Sequence, residues 1–394
     1  MNFPIGAQIL PSYAAAPLCP HFGPCGGCQL QDVAYQIQLA HKAERLRELL
    51  EPTGVALPQV QLHASPPFGY RNRIRLTLAE VDGRLRAGYI RQTTETSHAF
   101  LPITECPIAA PVLWRAAESL LALANASPAG WARTADQLEI FTTADEARLQ
   151  FTLILRTAAK RSPLEAAAFA ALCESMCAAV HELSGAGISL LPPASPNRGR
   201  RLEQPRPGPS WSAPGLSYTV GETSYWVPRT AFFQVNRFLL PELVSRVTAG
   251  REGQLAWDLY AGVGLFSRAL ARVFTEVVAV EIAEPAASAL AATKLANLHA
   301  VKATTLDFLR AAVIQRERPK LIVLDPPRTG AGPEICGLLA RIAAPTLVYV
   351  SCSPQMLAAE LAALTANGYT LAELHLFDLF PQTDHIETVA ILQR

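Results

Sequence analysis

The sequence predicts an α/β fold: a doubly wound, mostly parallel sheet in the C-terminal part, preceded by an α+β domain that carries a four-cysteine cluster. Three observations predict it. From about residue 254 onward short apolar strands alternate with amphipathic helices, the pattern of a parallel sheet covered on both faces. Asp258, Glu281, Asp325 and Cys352 stand where those strands end, the edge at which such sheets bind ligands. Upstream, hairpin strands and isolated helices follow Cys19, Cys25 and Cys28. These features divide the chain into an N-terminal domain, 1–230, with a flexible linker at about 192–215, and a C-terminal domain, 231–394.

The 394 residues, half of them hydrophobic, are enough for two or three domains with sizeable cores. A net charge of +1 and a pI of about 7.6 leave any nucleic-acid surface to a local patch. Residues 1–18 hold no Lys or Arg from which to build the basic start of a secretion signal. No apolar stretch reaches transmembrane length. The reading is a cytoplasmic, monomeric protein with no membrane partner.

In chain order, the first element is Cys-Pro-His-Phe-Gly-Pro-Cys-Gly-Gly-Cys at 19–28. Gly26-Gly27 lets the backbone fold so that thiolates converge, and Cys106, between Glu105 and Pro107, completes a set of four. Three cysteines plus one is a metal-site arrangement, and the spacing fits zinc or a [4Fe–4S] cluster equally. Cys173, Cys177 and Cys336 fall in apolar helical patterns and read as core residues. Residues 33–51 are helical in pattern. Residues 70–78 alternate as a strand with arginines on one side, Val81-Asp82-Gly83-Arg84 turns the chain, and 85–91 return. Arg71, Arg73, Arg75, Arg84, Arg86 and Arg91, near Tyr70 and Tyr89, form a face that would track a phosphate backbone, or a solvated strand face. Strands at 138–143 and 149–156 and a helix at 163–182 follow. The linker brings Arg198, Arg200, Arg201 and Arg206, which face solvent or a polyanion.

The C-terminal strands are read near 254–258, 277–281, 300–304, 320–325, 345–351, 371–377 and 386–392. Residues 379–385 are too few for a crossover helix, so the last strand is antiparallel and begins on the edge where the parallel strands end. That connection brings Glu387 to Cys352. The thiol follows an apolar strand in Tyr349-Val350-Ser351-Cys352-Ser353-Pro354, and Pro354 suits the first turn of a helix. A cysteine at a helix N-terminus favours the thiolate, with Glu387 as its general base; a buried structural cysteine is the alternative.

A cofactor signal lies in Asp258-Leu259-Tyr260-Ala261-Gly262-Val263-Gly264, a strand end and glycine turn, with Glu281 ending the next strand where a carboxylate accepts ribose hydroxyls. Ser267 stands where a third glycine would favour NAD, so S-adenosylmethionine fits better. Asp307, after the third strand, is placed for an adenine amino group or for capping a helix.

Together these residues resemble the S-adenosylmethionine-dependent RNA uracil-C5 methyltransferases over nearly the whole chain. The resemblance rests on Cys19, Cys25, Cys28 and Cys106, on Phe232-Phe233-Gln234-Val235-Asn236, on the turn after Asp258, on Asp325-Pro326-Pro327-Arg328, on Ser351-Cys352-Ser353-Pro354, and on Phe380-Pro381-Gln382-Thr383 before Glu387. It implies a Rossmann-like class I methyltransferase domain and a [4Fe–4S] cluster on the four cysteines. It also implies cofactor contacts at Gln234, Tyr260, Glu281 and Asp325, around the Gly262 turn, with Cys352 as nucleophile and Glu387 as base. Three positions depart from the family pattern: Ala261 replaces a Cys, Leu265 an Asn and Ser353 an Asn. The small N-terminal β-barrel of some members is read as absent, because Cys19 comes so early.

The implied chemistry is addition of Cys352 to C6 of an unstacked uridine, methylation at C5, and elimination assisted by Glu387. Large-subunit ribosomal RNA is the favoured substrate and transfer RNA the alternative. A non-catalytic iron–sulfur RNA-binding protein is the rival from another class. An adenine amino-methyltransferase shares the Asp-Pro-Pro element, but Arg328 stands where that chemistry wants an aromatic clamp.

Overall fold

A computed structural model describes residues 14–92, 98–126, 130–158, 161–193 and 205–394. In chain order its elements are α1 (Tyr35–Leu50), β1 (Val60–His63), β2 (Arg73–Val81), β3 (Arg84–Gln92), β4 (His98–Pro102), α2 (Pro111–Ala126), β5 (Ala135–Thr142), β6 (Leu149–Arg156), α3 (Ala166–Ala179), β7 (Leu183–Leu191), β8 (Arg206–Ser212), β9 (Gly215–Val220) and β10 (Thr223–Pro228). Then come α4 (Leu240–Thr248), β11 (Gly253–Leu259), α5 (Ser267–Leu270), β12 (Phe274–Val280), α6 (Ala286–Ala291), β13 (Leu298–Val301), α7 (Thr305–Gln315), β14 (Leu321–Leu324), α8 (Pro333–Ile342), β15 (Thr346–Ser351), α9 (Pro354–Ala366), β16 (Thr370–Phe377) and β17 (Glu387–Gln393).

The C-terminal strands form an eight-stranded sheet in the order β1-β16-β17-β15-β14-β11-β12-β13. From β15 to β13 all neighbours are parallel, and β17 runs antiparallel to both β15 and β16, as the short connection requires. Strand residues alternate between two cores. Val348 and Val350 of β15 face α4, α5, α6 and the β9–β10 hairpin, while Leu347 and Tyr349 face α1, α7, α8 and α9. Covering both faces is what lets β14, Leu-Ile-Val-Leu, be apolar at every position.

The second sheet runs β4-β3-β2-β5-β6-β7-β8 and is antiparallel except between β6 and β7. α2 and α3 supply helical side chains to its core. The β2–β3 hairpin is present, with Ile74, Leu76 and Leu78 facing that core. Part of the expected linker is strand: β8 pairs with β7 from Gly185↔Ser212 to Leu190↔Arg206. Arg198, Arg200 and Arg201 lie outside the described residues.

The chain-order division at 230 leaves α1, β1 and the β9–β10 hairpin packed with the C-terminal sheet. β1 joins the C-terminal sheet, parallel to β16 from Val60↔Leu374 to His63↔Phe377, and α1 packs in the core beneath it. α1 also carries a buried ion pair, Lys42 Nζ to Asp378 Oδ1 at 2.7 Å, with the side chains 1% and 0% exposed. Lys42 donates a second bond to Phe380 O at 3.0 Å. Breaking a buried pair of this kind costs about 3–5 kcal/mol, because the remaining charge is stranded. Among the described residues no helix is long and apolar enough to cross a membrane.

Candidate active site

The glycine turn after β11 is built from residues in unusual backbone conformations. Tyr260 is left-handed at φ 62°, followed by Gly262 at 57° and Gly264 at 89°. A side chain at Gly264 would also come within 2.9 Å of Leu290. Nothing stands within 4 Å of a Cβ placed on Gly262, so that turn faces open space. Glu281 staples it: one oxygen accepts the Gly262 N–H at 2.8 Å, the other accepts Ile282 and Ala283 N–H at 2.7 and 2.6 Å. Ala261 and Leu265, two departures from the family pattern, are both buried core side chains.

Asp258 is fully buried and accepts a hydrogen bond from Ser267 Oγ, while its Oδ1 finds no partner among the described residues. Burial pushes its carboxyl up to about 7, from an ordinary 3.8. Across the crevice Asp325 follows β14 and accepts from Gln234 Nε2 at 3.5 Å; burial first and the Asp258 charge second push it upward as well. Asp307 is exposed. Its backbone N–H donates to Thr304 Oγ1, whose hydroxyl donates back to its carboxylate at 2.6 Å, so Thr304 caps α7 and Asp307 holds the capping hydroxyl in place.

The two buried aspartates make a pH prediction. A carboxyl raised in the folded state lends its stability below the unfolded value and loses it as pH rises through the folded one. For Asp258 that window runs from 3.8 to about 7. The cofactor-free protein is therefore expected to melt lower at pH 8 than at pH 5, by a few kcal/mol in order of magnitude. Asp258→Asn, neutral throughout, should flatten the fall; an undiminished fall in thermal melts of that variant assigns it to other groups.

Cys352 lies half-buried between the end of β15 and the start of α9 at Pro354. The β15–β17 register pairs Ser351 with Thr388, so the next residue on each chain, Cys352 and Glu387, comes to the same edge, close enough for the Glu387 charge to act on the thiol. Glu387 is 2% exposed, and its Oε1 finds no hydrogen-bond partner among the described residues. Burial holds its carboxyl well above the usual range, helped by Asp325 and opposed by Arg328. The thiol departs from expectation. Burial, then Glu387 and Asp325, push Cys352 up to about 11 against the pull of Arg328. The helix N-terminus does not make a thiolate here, because a partly desolvated sulfur between two acids is a poor place for another negative charge.

Cys19, Cys25, Cys28 and Cys106 line one cavity of about 300 Å³, together with Arg71 and Tyr89. Burial raises the Cys19 and Cys28 thiols and pushes Cys106 up to about 11. Among the described residues, however, no three His, Cys, Asp or Glu side chains converge on a single ion position. The arginine face also needs correction. Tyr70 is buried, donating its hydroxyl to Pro381 O at 3.1 Å. Arg73 pairs with Glu139 and lies over the Phe141 ring, and Arg71 turns into the cysteine cavity. Arg75, Arg84, Arg86 and Arg91 remain exposed.

Sequence reasoning missed the polar knot behind the site. Asn236 Nδ2 donates to Ser65 Oγ at 2.9 Å and Leu379 O at 3.1 Å, and its Oδ1 accepts Phe238 and Leu239 N–H. Its place two residues after Gln234 in one motif was the available signal.

A mostly parallel sheet with a glycine turn after one strand, an acid ending the next, and Cys352 and Glu387 brought to the same edge is the architecture of a methyltransferase domain. Residues 214–394 match the tRNA (Uracil-5-)-methyltransferase family. The 23S rRNA (uracil(1939)-C(5))-methyltransferase RlmD of Shewanella denitrificans is 31% identical over 402 residues, spanning 95% of this chain and 82% of the relative. An RNA methyltransferase of Thermotoga maritima is 29% identical over 406 residues, 95% and 84% of the two chains. The chain belongs to the S-adenosylmethionine-dependent RNA uracil-C5 methyltransferases. In fold it is similar to the Pyrococcus abyssi tRNA (uracil-54, C5)-methyltransferase solved with S-adenosyl-L-homocysteine, at a TM-score of 0.70 and 22% identity over 93% of this chain and 86% of the other.

Proposed function

We propose that this enzyme methylates C5 of one uridine in 23S ribosomal RNA, through addition of Cys352 to C6 and elimination assisted by Glu387. The observation that carries the mechanism is the Cys352–Glu387 juxtaposition, with an unpartnered carboxylate oxygen buried beside the nucleophile. The RlmD relatives, named for 23S rRNA, support the substrate.

S-adenosylmethionine supplies the methyl group, and the open Gly262 turn fits it. Gly262 and Tyr260 bound the site, Glu281 takes the ribose hydroxyls, Asp307 the adenine amino group, and Asp325 with Gln234 lies towards the reacting end. In the reaction Cys352 loses its proton to solvent and its sulfur bonds to C6, sending the C5–C6 electrons towards O4. C5 then takes the methyl group, and S-adenosylhomocysteine leaves. Glu387 removes the C5 proton, the ring double bond reforms and the C6–S bond breaks.

Cys19, Cys25, Cys28 and Cys106 all line one cavity of about 300 Å³, and a four-cysteine set of uneven spacing suits a cluster. Cys19, Cys25, Cys28 and Cys106 would hold a [4Fe–4S] cluster, which supplies a four-point anchor for their loops. The exposed Arg75, Arg84, Arg86 and Arg91 would meet RNA phosphates.

Mapping 5-methyluridine in RNA from cells lacking the protein tests the substrate. One missing methyl group in 23S rRNA is expected. Complete 23S rRNA methylation with a missing transfer-RNA methyl group would overturn the assignment in favour of transfer RNA.

A further inference from the structure

The turn that delivers Glu387 is held from outside its own sheet. Gln29 and Leu30, the two residues after Cys28, both donate backbone N–H to Gln382 O at 3.0 Å. Gln38 of α1, 1% exposed, donates Nε2 to Gln382 Oε1 at 2.9 Å and to Leu30 O and Val33 O at 2.8 Å each. Its Oε1 accepts the Gln382 N–H at 3.0 Å. One buried amide thus bonds both the segment after Cys28 and the catalytic turn. Gln382 is left-handed at φ 68°, a conformation that a residue with a side chain keeps only where its surroundings hold it. Arg71, from the wall of the cysteine cavity, lies 5.9 Å over the Phe380 ring.

Glu387 begins β17, so the ladder fixes the backbone on its C-terminal side and this turn fixes it on the other. Cys352 is placed differently, by β15 and α9. We propose that Gln38 is a positioning residue for proton removal from C5. By clamping the 380–383 turn to the cysteine loop, it sets where the Glu387 carboxylate enters the crevice. The order of the cysteine loop is thereby coupled to the elimination half of the reaction, and addition is left alone. This inference rests on the reading of Glu387 as the base.

The test compares the intact, cysteine-site-loaded protein with Gln38→Met, which keeps the side-chain length and loses every polar contact. Gln382→Asn serves as a second variant, since it tolerates the left-handed backbone but shortens the amide. With ordinary uridine RNA, turnover is expected to fall roughly tenfold to a hundredfold. Denaturation-stable, already methylated protein–RNA adduct should accumulate, and S-adenosylmethionine affinity should stay within about twofold. Hydrogen exchange should quicken in 378–386 and not in the turn at 258–264. Slow turnover without adduct, or unchanged exchange at 378–386, overturns the inference. Glu387→Gln is run alongside. If it turns over freely, the base assignment itself has failed; if it traps adduct and neither glutamine variant does, only the positioning role falls.

Discussion

Cys352→Ala is expected to lose essentially all methyl transfer, by a factor of about 10⁴ or more, while still binding S-adenosylmethionine. Uracil C5 is not nucleophilic until a group adds at C6; of the other thiols, Cys336 is buried within α8, Cys173 and Cys177 belong to α3 of the other sheet, and Cys19, Cys25, Cys28 and Cys106 line a separate cavity. The proposed cofactor contacts lie at the ends of β11, β12 and β14, so removing one sulfur should leave them intact. The measurement is the covalent complex with 5-fluorouridine RNA on a denaturing gel, present in the parent protein and absent in the variant. An adduct that survives Cys352→Ala would assign the nucleophile elsewhere. The raised thiol adds a requirement. With the group pushed up to about 11, only about one sulfur in 10⁴ is ionised at neutral pH, so its proton must leave as substrate and the cofactor's positive sulfonium arrive.

The edge of the sheet was legible because it depends on short-range rules. Strand ends set the places of Asp258, Glu281 and Asp325, and the seven residues at 379–385 forced β17 to run antiparallel and bring Glu387 to Cys352. The state of the thiol was not legible, since it follows from the burial of three groups that are distant in sequence. β1 escaped notice because four residues carry too little alternation, and its partner lies some three hundred residues away. The arginines of β2 were placed on the correct side of the strand, yet Glu139 and Phe141 of the neighbouring β5 cover part of that side. The clamp on α1 did leave a trace. Gln38, Lys42, Leu46 and Leu50 follow one another at four-residue spacing, so two polar side chains share the apolar stripe. Polar groups on a buried stripe call for partners, and here both partners lie in the turn before Glu387.

Glu387→Gln is expected to stop the reaction after the methyl group has been transferred. Glutamine keeps the shape that fits beside β15 and β16 but takes no proton, so C5 keeps its hydrogen and the C6–S bond cannot break. Turnover should fall by about 10²–10⁴, with methylated adduct building up on ordinary uridine RNA. Loss of Cys352 gives no adduct at all, and this opposite signature separates the two roles. Ready turnover by the glutamine variant would remove Glu387 from the mechanism. The pH dependence carries the same logic. Burial and Asp325 raise the Glu387 carboxyl in the free protein, so proton removal should gain rate as pH rises, along a limb displaced from the acid range towards neutrality. Arg328 opposes the shift, and Arg328→Met should move the limb further upward by removing a positive charge that favours the carboxylate.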